Sequence, residues 1–490
     1  MNKSRSRPRA GLALSVPTAL VFSSVLVSAC GSSRDEASSV SEADASVSLG
    51  EYTASLLASD RIDDRGREQL ERIARAHGMN RQTLEKLAKE DKNLKIDRED
   101  NLFYACPSLR DITAENPEGG FDLHEDAASD AGDAHGFALQ STGTDAFRLH
   151  SRPQAARKIL LDFDGHVTTG TSWNSSRNMP SIVTPAYDKD GVPTSFSAAE
   201  LADIKAIWQA VAEDYAAFDV DVTTEDPGNS ALSGKGIRIS IGGNGLWFGA
   251  AGGVAFINSF GLANTPAFVF SKNLGPDFPK YVWEAVSHEA GHTLGLYHDG
   301  TVATATAAGQ GYYTGQGNWA PIMGVGYYKP ITQFDRGEYA NANNKQDDVA
   351  ILASRLGFIP DDYASTLGSA LALTGSSLNL SGLISQRSDL DFFKLNLGTG
   401  NVSLSANGVA AWNNYQRSNV TLRLSLLDAS GRILASSNLS SNAVLSTSIS
   451  QPGTYFLSVD GVGQGTPSTT GYSDYGSLGA YQLSGSVPAR

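Results

Sequence analysis

Three of the chain's eight histidines, His288, His292 and His298, fall within eleven residues, and Glu289 stands beside the first of them. Histidines four apart lie one turn apart on the same face of a helix, so His288 and His292 can direct two imidazole nitrogens at one metal ion. Gly295 can end that helix in a left-handed turn, which brings His298 back as a third ligand. Three imidazoles leave a fourth position for water, the arrangement of a catalytic rather than a closed structural site. Glu289 sits where a carboxylate takes a proton from that water without itself coordinating. The chemistry open to this set is metal-assisted hydrolysis, with one catalytic zinc ion as the expected cofactor.

The run His288-Glu289-Ala290-Gly291-His292-Thr293-Leu294-Gly295-Leu296-Tyr297-His298-Asp299 resembles the metzincin clan of zinc metalloproteases, and Asp299 directly after the third histidine is similar to the reprolysin (adamalysin) branch. The resemblance implies a zinc metalloendopeptidase acting on protein or peptide substrates, with Glu289 as general base. It also implies a methionine turn beneath the metal, and Pro321-Ile322-Met323-Gly324 lies about 25 residues past His298, which makes Met323 the candidate. Astacins and serralysins carry a tyrosine ligand two residues after that methionine; here the position is Val325, with Tyr327 and Tyr328 out of register, so no tyrosine ligand is expected. Metzincin substrates pair with an exposed edge strand, for which Gly252-Gly253-Val254-Ala255-Phe256-Ile257 is the candidate, centred on Gly253, Val254 and Ala255.

These residues need a scaffold, and residues 148–360 supply the pattern of a mixed α/β catalytic domain. Ile159-Leu160-Leu161-Asp162-Phe163-Asp164 reads as its first strand. Ser197 and Glu200 form a capping box ahead of a long amphipathic helix to Phe218, whose buried side carries Leu201, Ile204, Ile207, Trp208, Val211 and Tyr215. Strands are expected at Val220–Thr224, Ile237–Ile241, Val254–Ile257 and Phe268–Phe270, and a helix from about Tyr281 to Leu294 carries the histidines. Asp188-Lys189-Asp190-Gly191 has two carboxylates before a glycine, but the twelve-residue spacing of a calcium loop is absent; a turn is expected, and bound calcium has no further support.

Upstream, Lys3, Arg5, Arg7 and Arg9 precede an apolar stretch from Leu12 to Ala29, so residues 1–30 read as an export signal. Val27-Ser28-Ala29-Cys30 resembles a bacterial lipobox, which makes Cys30 a candidate for lipidation; ordinary cleavage near Ala29 is the alternative. An exported protein is expected, surface-anchored through that lipid or released after processing, and membrane contact through the lipid alone. Residues 31–62 read as a tether rich in serine, alanine and acidic groups. Residues 63–147 read as a small helical pro-region: Leu70 and Ile73 carry one helix, Gly78 breaks it, Asn80 caps the next, and Leu84, Leu87 and Ala88 carry that. A flexible, cleavable acidic stretch follows, and cleavage is expected between Asp145 and Arg157.

Only Cys30 and Cys106 are present, so no disulfide framework holds the chain. Cys106, within the pro-region, has two readings: a latency switch whose thiolate fills the open metal position, or an inert buried thiol. Pro-region cysteines act so in the related matrixins, although Tyr104-Ala105-Cys106-Pro107 does not match the matrixin sequence.

Residues 361–490 show short alternating strands with serine, asparagine and glycine turns, the pattern of a β-sandwich. Asp389-Leu390-Asp391-Phe392-Phe393-Lys394-Leu395 and Pro452-Gly453-Thr454-Tyr455-Phe456-Leu457-Ser458-Val459-Asp460-Gly461 resemble the bacterial pre-peptidase C-terminal domain. That resemblance implies a companion of secreted peptidases, in some cases one that contacts matrix or polysaccharide. The 38 basic against 52 acidic residues, a net charge of −14, exclude nucleic acid as a natural partner. A monomer is expected. The rival reading from another class is a catalytically silent surface lipoprotein that binds through its C-terminal domain; the intact Glu289 speaks against it.

Overall fold

The computed structural model describes residues 47–57, 64–111, 145–262, 264–409 and 417–490. The export signal with Cys30, most of the expected tether and residues 115–144 of the acidic stretch lie outside them.

Among the described residues, ten strands precede the histidine helix. β1 (Val47–Ser48), β2 (Leu94–Ile96) and β3 (Leu102–Cys106) come from the upstream segment, followed by β4 (Arg157–Asp162), β5 (His166–Thr168), β6 (Ile182–Thr184), β7 (Val220–Thr223), β8 (Gly236–Ile241), β9 (Gly253–Phe256) and β10 (Ala267–Val269). Eight of them form one sheet in the order β1-β2-β3-β9-β10-β8-β4-β7. Its centre is parallel, β10 on β8, β8 on β4 and β4 on β7. Parallel strands covered on both faces favour apolar runs, as Ile159-Leu160-Leu161 provides; β8 instead alternates Ile237, Ile239 and Ile241 with Arg238 and Ser240, which are also buried, Arg238 pairing with Asp162 of β4. Helix Ala198–Asp214, capped by the Ser197–Glu200 box, packs against helix Pro279–Leu294, and Ile204, Ile207, Val211, Val282 and Val286 share one buried cluster with the sheet.

β9 pairs antiparallel with both β10 and β3. Within residues 148–360 it is the edge of the sheet; the upstream segment covers that edge by adding β3, β2 and β1. The upstream segment is therefore not only helical. Its helices Asp64–Ala76 and Arg81–Glu90 bury Leu70, Ile73, Leu84 and Ala88, with Asn80 accepting from Thr83 N at 2.8 Å, but a third helix, Leu49–Leu57, falls inside the stretch expected as a tether. Leu49 is buried there against Ile73, Leu84 and Leu94, a long-range packing that local composition does not reveal.

After the histidine helix, β11 (Trp319–Pro321) and β12 (Ile331–Gln333) pair in parallel around Met323, and helix Asp348–Leu356 closes the domain. β13 (Leu371–Ala372), β14 (Ser377–Ile384), β15 (Leu390–Leu397), β16 (Gly400–Asn407), β17 (Leu422–Leu427), β18 (Ile433–Ser436), β19 (Asn442–Ile449), β20 (Gly453–Gly461) and β21 (Gly479–Ser486) then build two sheets. Their orders are β13-β15-β20-β17-β18 and β14-β21-β16-β19. Leu395, Leu424 and Leu457 from one and Leu404, Leu445 and Leu483 from the other lie in a single core, as a sandwich requires.

The sandwich is docked rather than dangling. Tyr475 OH accepts from Val349 N at 2.8 Å and donates to Asp347 at 2.7 Å, and Gln333 Nε2 donates to Asn419 O at 2.5 Å and Ser477 Oγ at 3.2 Å. No helix among the described residues is long and apolar enough to cross a membrane.

Candidate metal centre and active site

Helix Pro279–Leu294 opens on proline, whose missing N–H costs nothing at a first turn, and ends at Gly295, φ +107°, a backbone that L side chains rarely adopt. It is buried along its whole length. After Gly295 the chain returns, and His298 joins His288 and His292: one ligand-type atom from each, together with Cys106 Sγ, all lie within 4.8 Å of one another.

The rings are oriented by their outer nitrogens. His288 Nδ1 lies 2.8 Å from Ile322 O, His292 Nδ1 2.8 Å from Leu296 O, and His298 Nδ1 3.1 Å from Asp91 Oδ2. Each outer partner is an acceptor, so each Nδ1 carries the proton and each Nε2 turns a lone pair inward. His288 Nε2 is buried without a hydrogen-bond partner, and His292 Nε2 faces His298 Nε2 at 3.1 Å. Two lone pairs at that distance repel unless a cation lies between them. Cys106 Sγ is 3.5 Å from both nitrogens. Such separations suit the corners of a tetrahedron with bonds of about 2.0–2.3 Å, so the residues fit a zinc ion.

Burial, then the neighbouring His298, pushes His288 down to about 3, and burial, then His288 and His298, holds His292 well below the usual histidine range. In metal-free protein both rings are thus neutral when folded but protonated in the unfolded chain below about pH 6.5, so the unfolded state binds more protons as pH falls. The stability they contribute is present above that pH and is lost on acidification. His288 alone accounts for about 2 kcal/mol between pH 7 and pH 5. Buried Glu289, pushed up to about 8, acts in the opposite sense over the same window, so the histidine contribution is read as a difference: in chelator-treated protein the stability of the parent relative to His288→Gln is expected to fall from pH 7 to pH 5, and a pH-independent difference would count against the neutral cluster.

Glu289 is fully buried, and neither carboxylate oxygen has a hydrogen-bond partner. Burial pushes it up to about 8. It packs over β9 at Gly253, where a Cβ would come within 2.4 Å of Glu289 Oε1, so glycine alone admits the carboxylate. Cys106 is pushed well up, first by burial and then by Glu289. A cation held by the histidines would reverse that order if the thiol coordinated it, because a coordinated thiol is deprotonated outright.

Met323 is fully buried beneath the helix, and a Cβ at Gly291 would meet its Sδ at 2.6 Å. Ile322, beside it, links the site outward: its carbonyl accepts from His288, while its N–H donates to Gln333 O at 2.8 Å, and Gln333 holds the C-terminal sandwich. Asp188 Oδ1 accepts from Gly191 N at 2.7 Å and Val192 N at 3.0 Å, which is a turn built on its own backbone.

Three residues at the site escape sequence reasoning. Asp91 caps the end of helix Arg81–Glu90 and orients His298; Tyr104 stacks 4.3 Å from the His292 ring and 3.8 Å from His298; the Tyr312 ring lies 4.2 Å from His298. Asp91 and Tyr104 precede the motif by almost two hundred residues, and only the pairing of β3 with β9 brings them in. Tyr312 carries one sequence signal, its place between His298 and Met323. Cys30 lies outside the described residues.

A pocket beside the cluster is lined by Cys106, Pro107, Glu284, Tyr312, Val325 and Tyr327 among others. Tyr327 thus lines the cleft without standing among the converging ligand atoms.

No curated protein matches the chain. Among solved structures, the pre-peptidase C-terminal domain of a collagenase from Bacillus anthracis is similar at 16% identity and a TM-score of 0.17, covering 23% of this chain and 91% of that one. Residues 244–352, which hold β9, the histidine helix, His298 and Met323, match metallo-peptidase family M12B, reprolysin-like, so the chain carries a metallopeptidase domain of that kind there.

Proposed function

We propose that the chain is an exported zinc endopeptidase made as a latent precursor, with His288, His292 and His298 holding the metal and Glu289 as general base. The observation that carries this reading is the convergence of three inward-facing imidazoles beside a buried, unpaired carboxylate. Bound zinc supplies a Lewis acid that polarises the scissile carbonyl and acidifies water. Glu289 takes the proton of the attacking water and returns it to the leaving amine; burial alone pushes its carboxyl up to about 8, and the positive charge of a zinc ion at the histidines would favour the ionised form that a base requires. Ile322 O and Leu296 O fix the rings, and Met323 fills the space beneath them. β9 holds the substrate backbone once its edge is free.

Latency follows from the upstream segment. Cys106 completes four ligands, and β3 occupies the strand a substrate would pair with. Removal of residues before about 150 opens both, consistent with a closed four-ligand set becoming an open three-ligand one. Export rests on the signal-like residues 1–30, and lipid on Cys30 would tether the product to a membrane surface. Processed protein is expected to hydrolyse casein, to lose more than nine-tenths of that activity with a zinc chelator, about the tenfold that marks an essential group, and to regain it on zinc addition. Casein left intact by processed, zinc-loaded protein would overturn the reading.

A further inference from the structure

β3 does more than cover β9. The strands run antiparallel with Phe103 opposite Phe256, Tyr104 opposite Ala255, Ala105 opposite Val254 and Cys106 opposite Gly253. Strand alternation sends the β3 side chains two ways. Leu102, Tyr104 and Cys106 share one buried cluster on the histidine side. Phe103, 2% exposed, enters a separate aromatic cup with ring centroids 5.4 Å from Trp173, 6.2 Å from Phe248 and 5.6 Å from Phe256. All three contacts are edge-to-face, at 76°, 87° and 72°.

The cup walls belong entirely to the catalytic domain and are individually held. Trp173 Nε1 donates to Pro266 O at 2.8 Å, Phe256 lies on β9, and the Arg177 guanidinium sits 4.2 Å over the Phe248 ring. Next along the same face of β3, Ala105 is small and meets Val254.

We infer that this cup is a substrate subsite, taking an aromatic side chain three residues N-terminal to the residue that stands at the histidine cluster. The inference rests on the endopeptidase reading, since β3 must leave β9 for a substrate to enter. Backbone pairing sets the register: Gly252 N donates to Cys106 O at 2.8 Å and Ile257 N to Leu102 O at 2.9 Å, bonds that any extended peptide of the same polarity repeats. The cup then supplies selectivity. A ring meets three ring edges, an aliphatic side chain leaves contacts unmade, and a charged one is buried without a partner.

The test uses octapeptides of the sequence of residues 101–108 carrying Cys106→Ala, so that no thiol contributes, and titrates them by calorimetry into zinc-loaded protein made inactive by Glu289→Gln and processed in trans by the parent enzyme, which is then removed. Peptides with Phe103→Tyr or Phe103→Trp are expected to bind within a few-fold of the parent peptide. Phe103→Ala is expected to weaken binding roughly 30-fold, from the lost burial of one ring. In processed protein carrying Trp173→Ala, or Phe248→Ala should the first not fold, the gap between the parent peptide and its Phe103→Ala variant should collapse. Equal binding of those two peptides by protein whose Glu289 form digests casein overturns the subsite and leaves the endopeptidase standing. Neither peptide binding nor casein digestion overturns both.

Discussion

In processed protein, Glu289→Ala is expected to lower peptide hydrolysis by about 10²–10⁴-fold while zinc stays bound at one ion per chain, read by elemental analysis alongside a quenched-fluorescence peptide assay. The separation of the two readouts follows from geometry. The converging atoms come from His288, His292, His298 and Cys106, whereas Glu289 points at β9 and meets none of the outer acceptors that orient the rings. Removing it deletes a proton acceptor and leaves the ligands in place. His292→Ala, by contrast, is expected to lose the metal itself. The same variant bears on stability: a carboxyl raised to about 8 by burial, against its ordinary value of 4.5, makes the metal-free fold less stable as pH rises through that window. Glu289→Ala should therefore leave metal-free protein as stable as the parent or more so at pH 8. Retention of more than a tenth of the parent's hydrolysis would remove Glu289 from the mechanism.

Much of the histidine site could be read from the sequence because its information is local. A spacing of four, a glycine at the helix end and a methionine downstream are properties of short segments, and a helix turns them into geometry by its own periodicity. The capping box Ser197–Glu200, the apolar run of β4 and the alternating isoleucines of β8 were legible for the same reason. Residues whose role depends on distant partners were not. Leu49 folds because Ile73 and Leu94 cover it, Asp91 matters because β3 brings its segment to His298, and Phe103 finds its cup 70 residues and more away in sequence. The edge strand shows both sides of this. Gly253, Val254 and Ala255 could be read as a strand near the histidine cluster, but its cover could not, since β3 carries no mark of its partner beyond alternation. The docking of the sandwich through Gln333 and Tyr475 was equally invisible, because a glutamine or tyrosine in a loop or short strand signals nothing until its partner is placed.

On the proposed latency the thiol and the strand act as two locks, and a cysteine variant tests how they share the work. Cys106→Ala removes the fourth ligand atom but leaves the pairing of β3 with β9, the burial of Phe103 and Tyr104, and the bond from His298 to Asp91. The substrate cleft stays covered in most molecules, so intact Cys106→Ala precursor is expected to remain poorly active on casein. Its open metal position, however, is available whenever β3 transiently lifts, whereas in the parent the thiolate must also leave the metal. A coordinated thiolate is held far more tightly than a strand edge, whose loss is a local opening. The expected result is a lag before self-processing that is about tenfold shorter than the parent's, followed by the same final activity, since Cys106 lies in the part removed. Gel densitometry of the precursor and a continuous peptide assay on the same sample read both quantities. A lag equal to the parent's would show that β3 alone sets latency and that Cys106 is an inert buried thiol. A variant fully active at once would show the opposite, that the strand contributes no barrier and the metal–thiol bond is the whole lock.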